Sequence, residues 1–205
     1  MTKSTQLGAQ KKPIRREMRE GFSPNSAPQQ SINLGKIKPR KTVRRILGID
    51  PGLASTGWGV IDETDGKVKY IDHGIIITKA GLQRADRLFF ILQYIRSIIE
   101  KYKPSEAAIE TLYFGKNVSS AIPVAEARGV ISAAIAEKSI PLFEFAPNTI
   151  KKGVAGSIKA DKKQVQEMVR IILELEQLPE PNHAADALAA AICAANNKND
   201  MIILR

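Results

Sequence analysis

The chain has 205 residues, of which 43% are hydrophobic, and a formal net charge of +10. This length suits one domain with an appendage, and the apolar content is enough for a core. Its longest apolar runs are far shorter than the roughly 20 residues needed to cross a bilayer, which excludes a membrane-spanning protein. A single cysteine, Cys193, excludes an internal disulfide and predicts a buried thiol in a reducing compartment.

The positive charge lies in an N-terminal arm, residues 1–44. Residues 1–45 hold 12 Lys or Arg and two Glu, whereas the 19 basic and 19 acidic residues that follow cancel. Its prolines and polar residues leave too little apolar surface to offset the entropy lost on ordering, so we predict disorder. The arm either binds nucleic acid electrostatically or is a solubilising tail. It has no secretory signal, and organellar targeting is disfavoured but stays open.

Three strands are predicted at the start of the domain. The first, residues 45–49, is rich in large aliphatic side chains and ends at the turn sequence Asp50-Pro51-Gly52. Residues 59–62 and 67–78 form the next two, joined by a hairpin signal, so the three make an antiparallel meander. Asp50 is thereby left at the exit of a buried strand, where it is either an ordinary turn residue or part of a site.

A second carboxylate is predicted to lie beside Asp50. An amphipathic helix over residues 83–101 is followed by a short buried strand, residues 105–110, that ends on Glu110. A right-handed crossover through the helix can set this strand parallel to and beside the first. Because adjacent strands lie about 4.8 Å apart, Asp50 and Glu110 would repel each other unless a proton or a divalent cation intervened. Without Asp50, Glu110 would be read as a solvated strand-end carboxylate.

An aromatic loop and an alanine-rich helix follow the second carboxylate. Tyr113 and Phe114, with Lys116 close behind, lie in a loop beside the predicted site, where the aromatic rings either plug the core or stack on bases. Residues 119–138 form a helix with many small residues that also carries Arg128-Gly129. Small residues favour close packing against another helix, in the same chain or in a second subunit.

Lysines are concentrated between the fifth strand and the next long helix. Residues 141–145 form that strand, and residues 147–152 form a short helix that opens the loop 151–163. The loop holds Lys151, Lys152, Lys159, Lys162 and Lys163. It either contacts phosphates or is a solvated, flexible connection. Asp161 is predicted to cap a helix over residues 162–175.

The last predicted helix carries two further candidate ligands near its start. His183 and Asp186 are three residues apart and therefore project from the same helix face. An acidic residue near a helix start is usually a cap, so this pattern gains its weight from Asp50 and Glu110.

Six segments in series carry a resemblance to a known family. They are Ile49-Asp50-Pro51-Gly52, Thr56-Gly57-Trp58-Gly59, Ala108-Ile109-Glu110, Ala127-Arg128-Gly129-Val130, residues 162–169, and the run from His183 through Asp186 to Leu188. From about residue 45 to residue 195 the chain resembles RuvC-type Holliday junction resolvases. The resemblance implies an α/β, RNase H-like domain over residues 45–197, with a mixed five-stranded sheet flanked by helices, and a C-terminal tail over residues 198–205.

The resemblance also implies an activity. Family members are homodimeric endodeoxyribonucleases that resolve four-way DNA junctions in recombination and repair by paired, symmetric nicks. The implied cofactor is Mg²⁺ or Mn²⁺, two ions per active site, and a branch-migration motor complex is an implied partner. A cytoplasmic, nucleoid-associated location follows, with organellar targeting by the arm left open.

Position by position, the resemblance assigns roles to the candidate residues. Asp50, Glu110 and Asp186 correspond to metal ligands, and His183 stands where many members have Asp and some have His, as a ligand or a base. Tyr113 corresponds to the family's loop aromatic, which contacts bases at the crossover. Lys151 and Lys162 correspond to its catalytically important basic residues. The implied DNA contacts are Tyr113, Lys116, Lys151, Lys152, Lys159, Lys162 and Lys163.

Two other kinds of protein fit parts of the pattern. A phosphate-binding lobe of the actin and sugar-kinase kind also begins with a strand, an Asp and a glycine loop, but such enzymes usually need two lobes, for which this chain has little room. A non-catalytic DNA-binding protein with a resolvase-like fold is the other, and the four intact site residues argue against it.

Overall fold

The computed structural model describes residues 42–111 and 118–197, together with the backbone of residues 202–203. The arm predicted over residues 1–44 lies outside the described residues except for its last three positions. Tyr113 and Lys116 also lie outside them.

The described part of the chain forms one sheet and five helices. The strands are β1 (Arg44–Asp50), β2 (Ser55–Thr64), β3 (Lys67–Ile77), β4 (Glu106–Glu110), β5 (Leu142–Phe145) and the two-residue β6 (Ile202–Ile203). The helices are α1 (Arg84–Tyr102), α2 (Val118–Glu137), α3 (Pro147–Ala155), α4 (Lys162–Ile172) and α5 (Asn182–Asn196). The strand order is β3-β2-β1-β4-β5-β6.

The sheet is mixed, which confirms the predicted fold class. β1, β2 and β3 form the antiparallel meander, and β4 runs parallel to both β1 and β5. The turn between β2 and β3 has positive φ at Asp65 and Gly66, as the hairpin signal predicts. β6 pairs antiparallel with β5 and adds to one edge, so part of the predicted C-terminal tail extends the five-stranded sheet.

Alternation along the strands separates two cores on the two faces of the sheet. Leu47, Ile49 and Ile109 face α1 and α2. Ile46 and Ala108 face α3, α4 and α5. Because side chains alternate along a strand, the side chains of Asp50 and Glu110 project from the same face as Ile46 and Ala108, the face covered by α5.

Three element boundaries differ from the sequence predictions by three residues or more. β2 begins at Ser55 rather than residue 59, because Thr56 Oγ1 donates to the Gly52 carbonyl at 2.7 Å and closes a tight turn. α3 continues to Ala155 rather than ending at residue 152, so Lys151 and Lys152 lie within the helix and not where the loop begins; buried Ile150 and Val154 hold its extra turn, which ends at Gly156 with φ 71°. α4 ends at Ile172 rather than residue 175, just before the positive φ of Glu174.

Two other expectations about the core are confirmed. Cys193 is buried in α5, and burial raises the pKa of its thiol to about 11. One side of the small-residue helix α2 packs against α1, with Ala127, Ile131 and Ala134 fully buried. No helix among the described residues is long and apolar enough to cross a membrane.

At the start of β1, Arg44 holds a buried carboxylate. Its Nε and Nη2 donate to the two Glu106 oxygens at 2.7 and 2.9 Å, and the Glu106 side chain is only 9% exposed. Removing one partner of a buried pair leaves an uncompensated charge, which costs about 3–5 kcal/mol when burial is complete. Because Arg44 itself is 22% exposed, we expect Arg44→Ala to lower the free energy of unfolding by about 2–3 kcal/mol in urea titration.

The control for Arg44 is an exposed ion pair. Arg96 and Glu137 are 39% and 49% exposed, so Arg96→Ala should cost less than about 1 kcal/mol. Equal losses from the two substitutions would contradict a buried, stabilising role for Arg44.

Candidate active site

Three of the four predicted ligands converge where β1 ends and α5 begins. Asp50 Oδ2 lies 2.6 Å from His183 Nδ1. One ligand atom from each of Asp50, His183 and Asp186 lies within 4.8 Å of the others. His183 lies in the first turn of α5, and Asp186 follows three residues later on the same face, as their spacing predicts.

The contact between α5 and the sheet brings this first turn to Asp50. Asp50 pairs with Gly57 across β1 and β2. A Cβ built on Gly57 would lie 1.9 Å from the His183 carbonyl oxygen, and one on Gly48 would lie 2.0 Å from that of Ala187. The buried face of α5 consists largely of alanine, so helix and sheet backbones come into direct contact. This close approach places His183 within hydrogen-bond distance of Asp50.

Glu110 lies beside the cluster, at the end of β4. It is outside the group that meets within 4.8 Å, but it lines both cavities that flank the group. One cavity, of about 280 Å³, is shared with Asp50 and Arg128. The other, of about 230 Å³, is shared with Asp186, Lys151 and Lys162. Glu110 therefore faces the same space as the three clustered residues.

The environment disfavours the ionised form of two carboxylates. Burial is the main reason that the pKa of Asp50 is raised, and the charge of Asp186 adds to it, while His183 and Lys162 oppose the shift. Burial, followed by the charges of Asp50 and Asp186, likewise raises the pKa of Glu110. A cation held among these groups would relieve both the desolvation cost and the repulsion.

The donor set fits a hard divalent cation. Three carboxylates supply the oxygen ligands that Mg²⁺ and Mn²⁺ prefer, and a cation would offset the burial that raises the pKa of Asp50 and the pKa of Glu110. Imidazole is a less usual ligand for Mg²⁺, so a site that used the His183 nitrogen would favour metals that accept nitrogen.

The predicted lysines separate into two sets. Lys162 Nζ bonds Asp186 Oδ2 at 2.7 Å, and Lys151 lines the smaller cavity near Glu110. Lys162 is the first residue of α4, directly after Asp161, whose side chain accepts from the Gln164 backbone N–H in a capping box. Lys152, Lys159 and Lys163 are exposed and line neither of the two cavities.

The sequence predicted no role for one residue at the site. Arg128 lies on α2, lines the larger cavity and donates to the Glu110 carbonyl oxygen at 2.7 Å. Its sequence signals were its place in the segment Ala127-Arg128-Gly129-Val130 and its charge within an otherwise largely apolar helix, which has three charged residues among its 20. Such a pattern identifies Arg128 as unusual, but it does not predict that its side chain reaches the end of β4.

Comparison with known proteins identifies a family. A model of the family described as crossover junction endodeoxyribonuclease RuvC matches residues 46–194. The protein of that name from Roseiflexus sp. (strain RS-1) is 49% identical over 152 residues, which are 74% of this chain and 90% of the relative. The one from Treponema denticola is 50% identical over 151 residues, 74% of this chain and 85% of the relative.

Solved structures agree with the sequence comparison. The structure of T. thermophilus RuvC in complex with Holliday junction substrate is similar with a TM-score of 0.71 and 30% identity, over 75% of this chain and 93% of the other. The yeast mitochondrial Holliday junction resolvase Ydc2 has a TM-score of 0.56 at 16% identity, over 75% of this chain and 79% of the other. The second similarity concerns the fold alone.

Proposed function

This chain belongs to the RuvC family of crossover junction endodeoxyribonucleases, and we propose that it resolves four-way DNA junctions as a metal-dependent nuclease. The observation that carries the catalytic proposal is the convergence of Asp50, His183 and Asp186 within 4.8 Å, with Glu110 at the adjacent strand end. The reaction is hydrolysis of one phosphodiester bond in each of two strands, which leaves paired nicks.

Asp50, Glu110 and Asp186 are the proposed metal ligands. When bound, two Mg²⁺ or Mn²⁺ ions supply charge neutralisation at the phosphate and a water activated for in-line attack. The ends of β1 and β4 hold Asp50 and Glu110, and α5 holds Asp186 near its N-terminus. Each carboxylate is thus held by an element of the core rather than by a loop, which favours a fixed geometry.

His183 is proposed to act through its Nε2 atom. Its Nδ1 lies 2.6 Å from the Asp50 carboxylate, an acceptor, so in neutral His183 the Nδ1–H donates to Asp50. This tautomer leaves the Nε2 lone pair free to bind a metal or to take a proton from the attacking water. The His183 side chain is 47% exposed, so Nε2 has room for either partner.

Lys162 is proposed to hold the scissile phosphate. Its ammonium already pairs with Asp186, so a phosphate that enters the site meets a cation beside the ligands. We expect Lys162→Ala to lower single-turnover cleavage by about 10–100-fold, the range found for groups that support a metal site. Cleavage of a labelled junction at saturating enzyme measures this.

The adjacent Lys163 provides a matched control for Lys162. It is exposed and does not line the cavities beside Glu110, so Lys163→Ala should leave the cleavage rate unchanged. Loss of one phosphate contact should only make the plot of log binding constant against log salt concentration less steep, by about one unit of slope. If the two variants cleave at the same rate, Lys162 has no special role at the phosphate.

The other proposed DNA contacts are Lys151, Lys152, Lys159, Tyr113 and Lys116. Lys151 borders the carboxylates, while Lys152 and Lys159 present their ammonium groups on the exposed surface of α3 and of the loop after it. Such contacts would strengthen binding in a salt-dependent, sequence-independent way. Tyr113 and Lys116 enter the proposal through the family motif alone.

A second copy of the chain is the proposed partner on the α1–α2 surface. Phe89, Phe90 and Tyr94 on α1 are 58%, 45% and 40% exposed, and Ile122 on α2 is 46% exposed. Paired, symmetric nicks also suit a dimer, because each chain carries one cluster of candidate ligands among its described residues. Sedimentation equilibrium should give twice the chain mass of 22.5 kDa, and a monomer at micromolar concentration would contradict the dimer. Association with a branch-migration motor and with the nucleoid follows from the family alone.

The decisive experiment compares a mobile four-way junction with linear duplex of the same sequence. Wild-type chain with Mg²⁺ should place paired, symmetric nicks in the junction only, and EDTA should prevent them. Tight junction binding without nicks at any base sequence, with either Mg²⁺ or Mn²⁺, would instead indicate a non-catalytic binding protein.

A further inference from the structure

We propose that Arg128 is a positioning residue that fixes Glu110 for metal binding, an inference that rests on the proposed function. The guanidinium of Arg128 reaches from α2 to the ends of two neighbouring strands. Its Nη1 donates to the Glu110 carbonyl oxygen at 2.7 Å, and its Nη2 forms an ion pair with the carboxylate of Glu144 on β5. One side chain thereby links α2, β4 and β5 at the site.

The contact falls where strand pairing stops. Glu110 is the last residue of β4 and pairs with Phe145 of β5. The Thr111 N–H still donates to the Phe145 carbonyl at 2.8 Å, and the structure describes the chain only as far as this residue before residue 118. The Glu110 carbonyl belongs to the same peptide unit as the Thr111 N–H, so the Arg128 hydrogen bond adds, from α2, a second restraint on the orientation of the Glu110 backbone. The direction of the Glu110 side chain follows from that orientation.

The burial of Arg128 and the partners that it already binds distinguish this role from a DNA contact. The Arg128 and Glu144 side chains are only 15% and 17% exposed, whereas Lys162 is 56% exposed. Both terminal nitrogens of Arg128 are already engaged within the protein. A phosphate would have to displace one of these partners, at the cost of leaving a nearly buried carboxylate or carbonyl unsatisfied.

The position of Arg128 beside the candidate metal ligands distinguishes a positioning role from simple stabilisation of the fold. Arg128 borders the cavity of about 280 Å³ that also contains Asp50 and Glu110. A shift of Glu110 relative to Asp50 changes the separation of two ligands that must share cations. A positional error of about 1 Å at a catalytic group can reduce the rate 100-fold.

Arg45 is a matched control because it makes the same pair of contacts elsewhere. Its Nη1 donates to the Tyr102 carbonyl at 3.0 Å, and its Nε and Nη2 each donate to Asp62 at 2.8 Å. It lies at the start of β1, whereas Asp50 is at its end, about 16 Å away at 3.3 Å per residue. Arg45→Lys should therefore affect stability but not metal binding.

The test compares Arg128→Lys, Arg45→Lys and wild type as full-length chains. Arg128→Lys is the primary variant because it keeps a cation beside Glu144 but lacks the planar guanidinium fork that reaches the two partners with separate nitrogens. Mn²⁺ alone is titrated calorimetrically, the Mn²⁺-induced rise in melting temperature is recorded, and kcat and KM are measured on a four-way junction. For Arg128→Lys we expect metal affinity to weaken about 10–100-fold and kcat to fall, with KM for the junction within about twofold of wild type.

Two outcomes would overturn the inference. One is an unchanged metal affinity in Arg128→Lys, and the other is an equal loss in Arg45→Lys, which would indicate general destabilisation. Failure of the proposed function is a separate result, because wild-type chain would then bind Mn²⁺ without cutting the junction. In that case the calorimetric comparison still decides the role of Arg128.

Discussion

Asp50→Asn should abolish junction cleavage, with a loss of at least about 10³-fold, because groups that merely orient metal ligands already contribute about 10–100-fold. Junction binding should persist, since the proposed phosphate contacts come from lysines, which the substitution leaves in place. Asn retains the size of Asp and an oxygen that can accept from His183, so the change removes charge rather than shape. Single-turnover cleavage and a gel-shift titration on the same junction separate the two effects.

The same substitution should raise stability when no metal is present. The pKa of Asp50 is raised in the folded chain, so the stability gained from its protonated form is complete below the ordinary pKa and lost as pH rises through the folded value. At neutral pH the ionised carboxylate therefore destabilises the fold, and a neutral amide avoids this cost. Asp50→Asn should melt higher than wild type in EDTA and gain less stability from Mg²⁺.

These outcomes would separate a catalytic carboxylate from a structural one. Cleavage near the wild-type rate would remove Asp50 from the metal site. A lower melting temperature in EDTA would show that the hydrogen bond to His183 stabilises the fold more than carboxylate burial destabilises it.

Gly57→Ala should impair both stability and cleavage. The new Cβ would lie 1.9 Å from the His183 carbonyl oxygen, and Cβ contacts shorter than 3.0 Å essentially never occur. The first turn of α5 must then move by about 1 Å, which can lower a catalytic rate about 100-fold. Overpacking of this kind typically costs about 1–3 kcal/mol. Urea unfolding and single-turnover cleavage measure the two losses.

Gly81→Ala is the control for the glycine prediction. A Cβ at Gly81 would meet no atom within 4 Å, and its φ does not require glycine. Alanine there should be neutral or stabilise by about 0.4–1 kcal/mol, because it restricts the unfolded chain. Cleavage by Gly57→Ala at the Gly81→Ala rate would show that the close approach of α5 does not position His183.

Much of the fold could be predicted because the relevant signals are local. The meander follows from the apolar runs on either side of Asp65-Gly66. The helix α1, between β3 and β4, follows from a regular spacing of apolar residues. The parallel placement of β4 beside β1 needed one more rule, the handedness of the crossover, and it is confirmed by the pairing of Ile49 with Ile109. The predicted site residues were individually weak signals, and the family motifs joined them.

Boundaries were less predictable where a tertiary contact extends an element. The early start of β2 depends on the Thr56 hydroxyl closing the turn onto Gly52, and the longer α3 depends on burial of Ile150 and Val154. Neither effect has a sequence signal stronger than the glycines nearby, which favoured loops.

The sequence by itself determined which chemistry the chain carries: a carboxylate at the end of each of two buried strands, and His183 and Asp186 one helical turn apart. It did so because strand alternation and helix periodicity act over a few residues. Only the tertiary structure decided that backbone contact through Gly57 brings His183 to Asp50, and that Arg128 reaches Glu110 from α2. These contacts join residues far apart in the chain, and their geometry depends on how closely a helix and a sheet can pack.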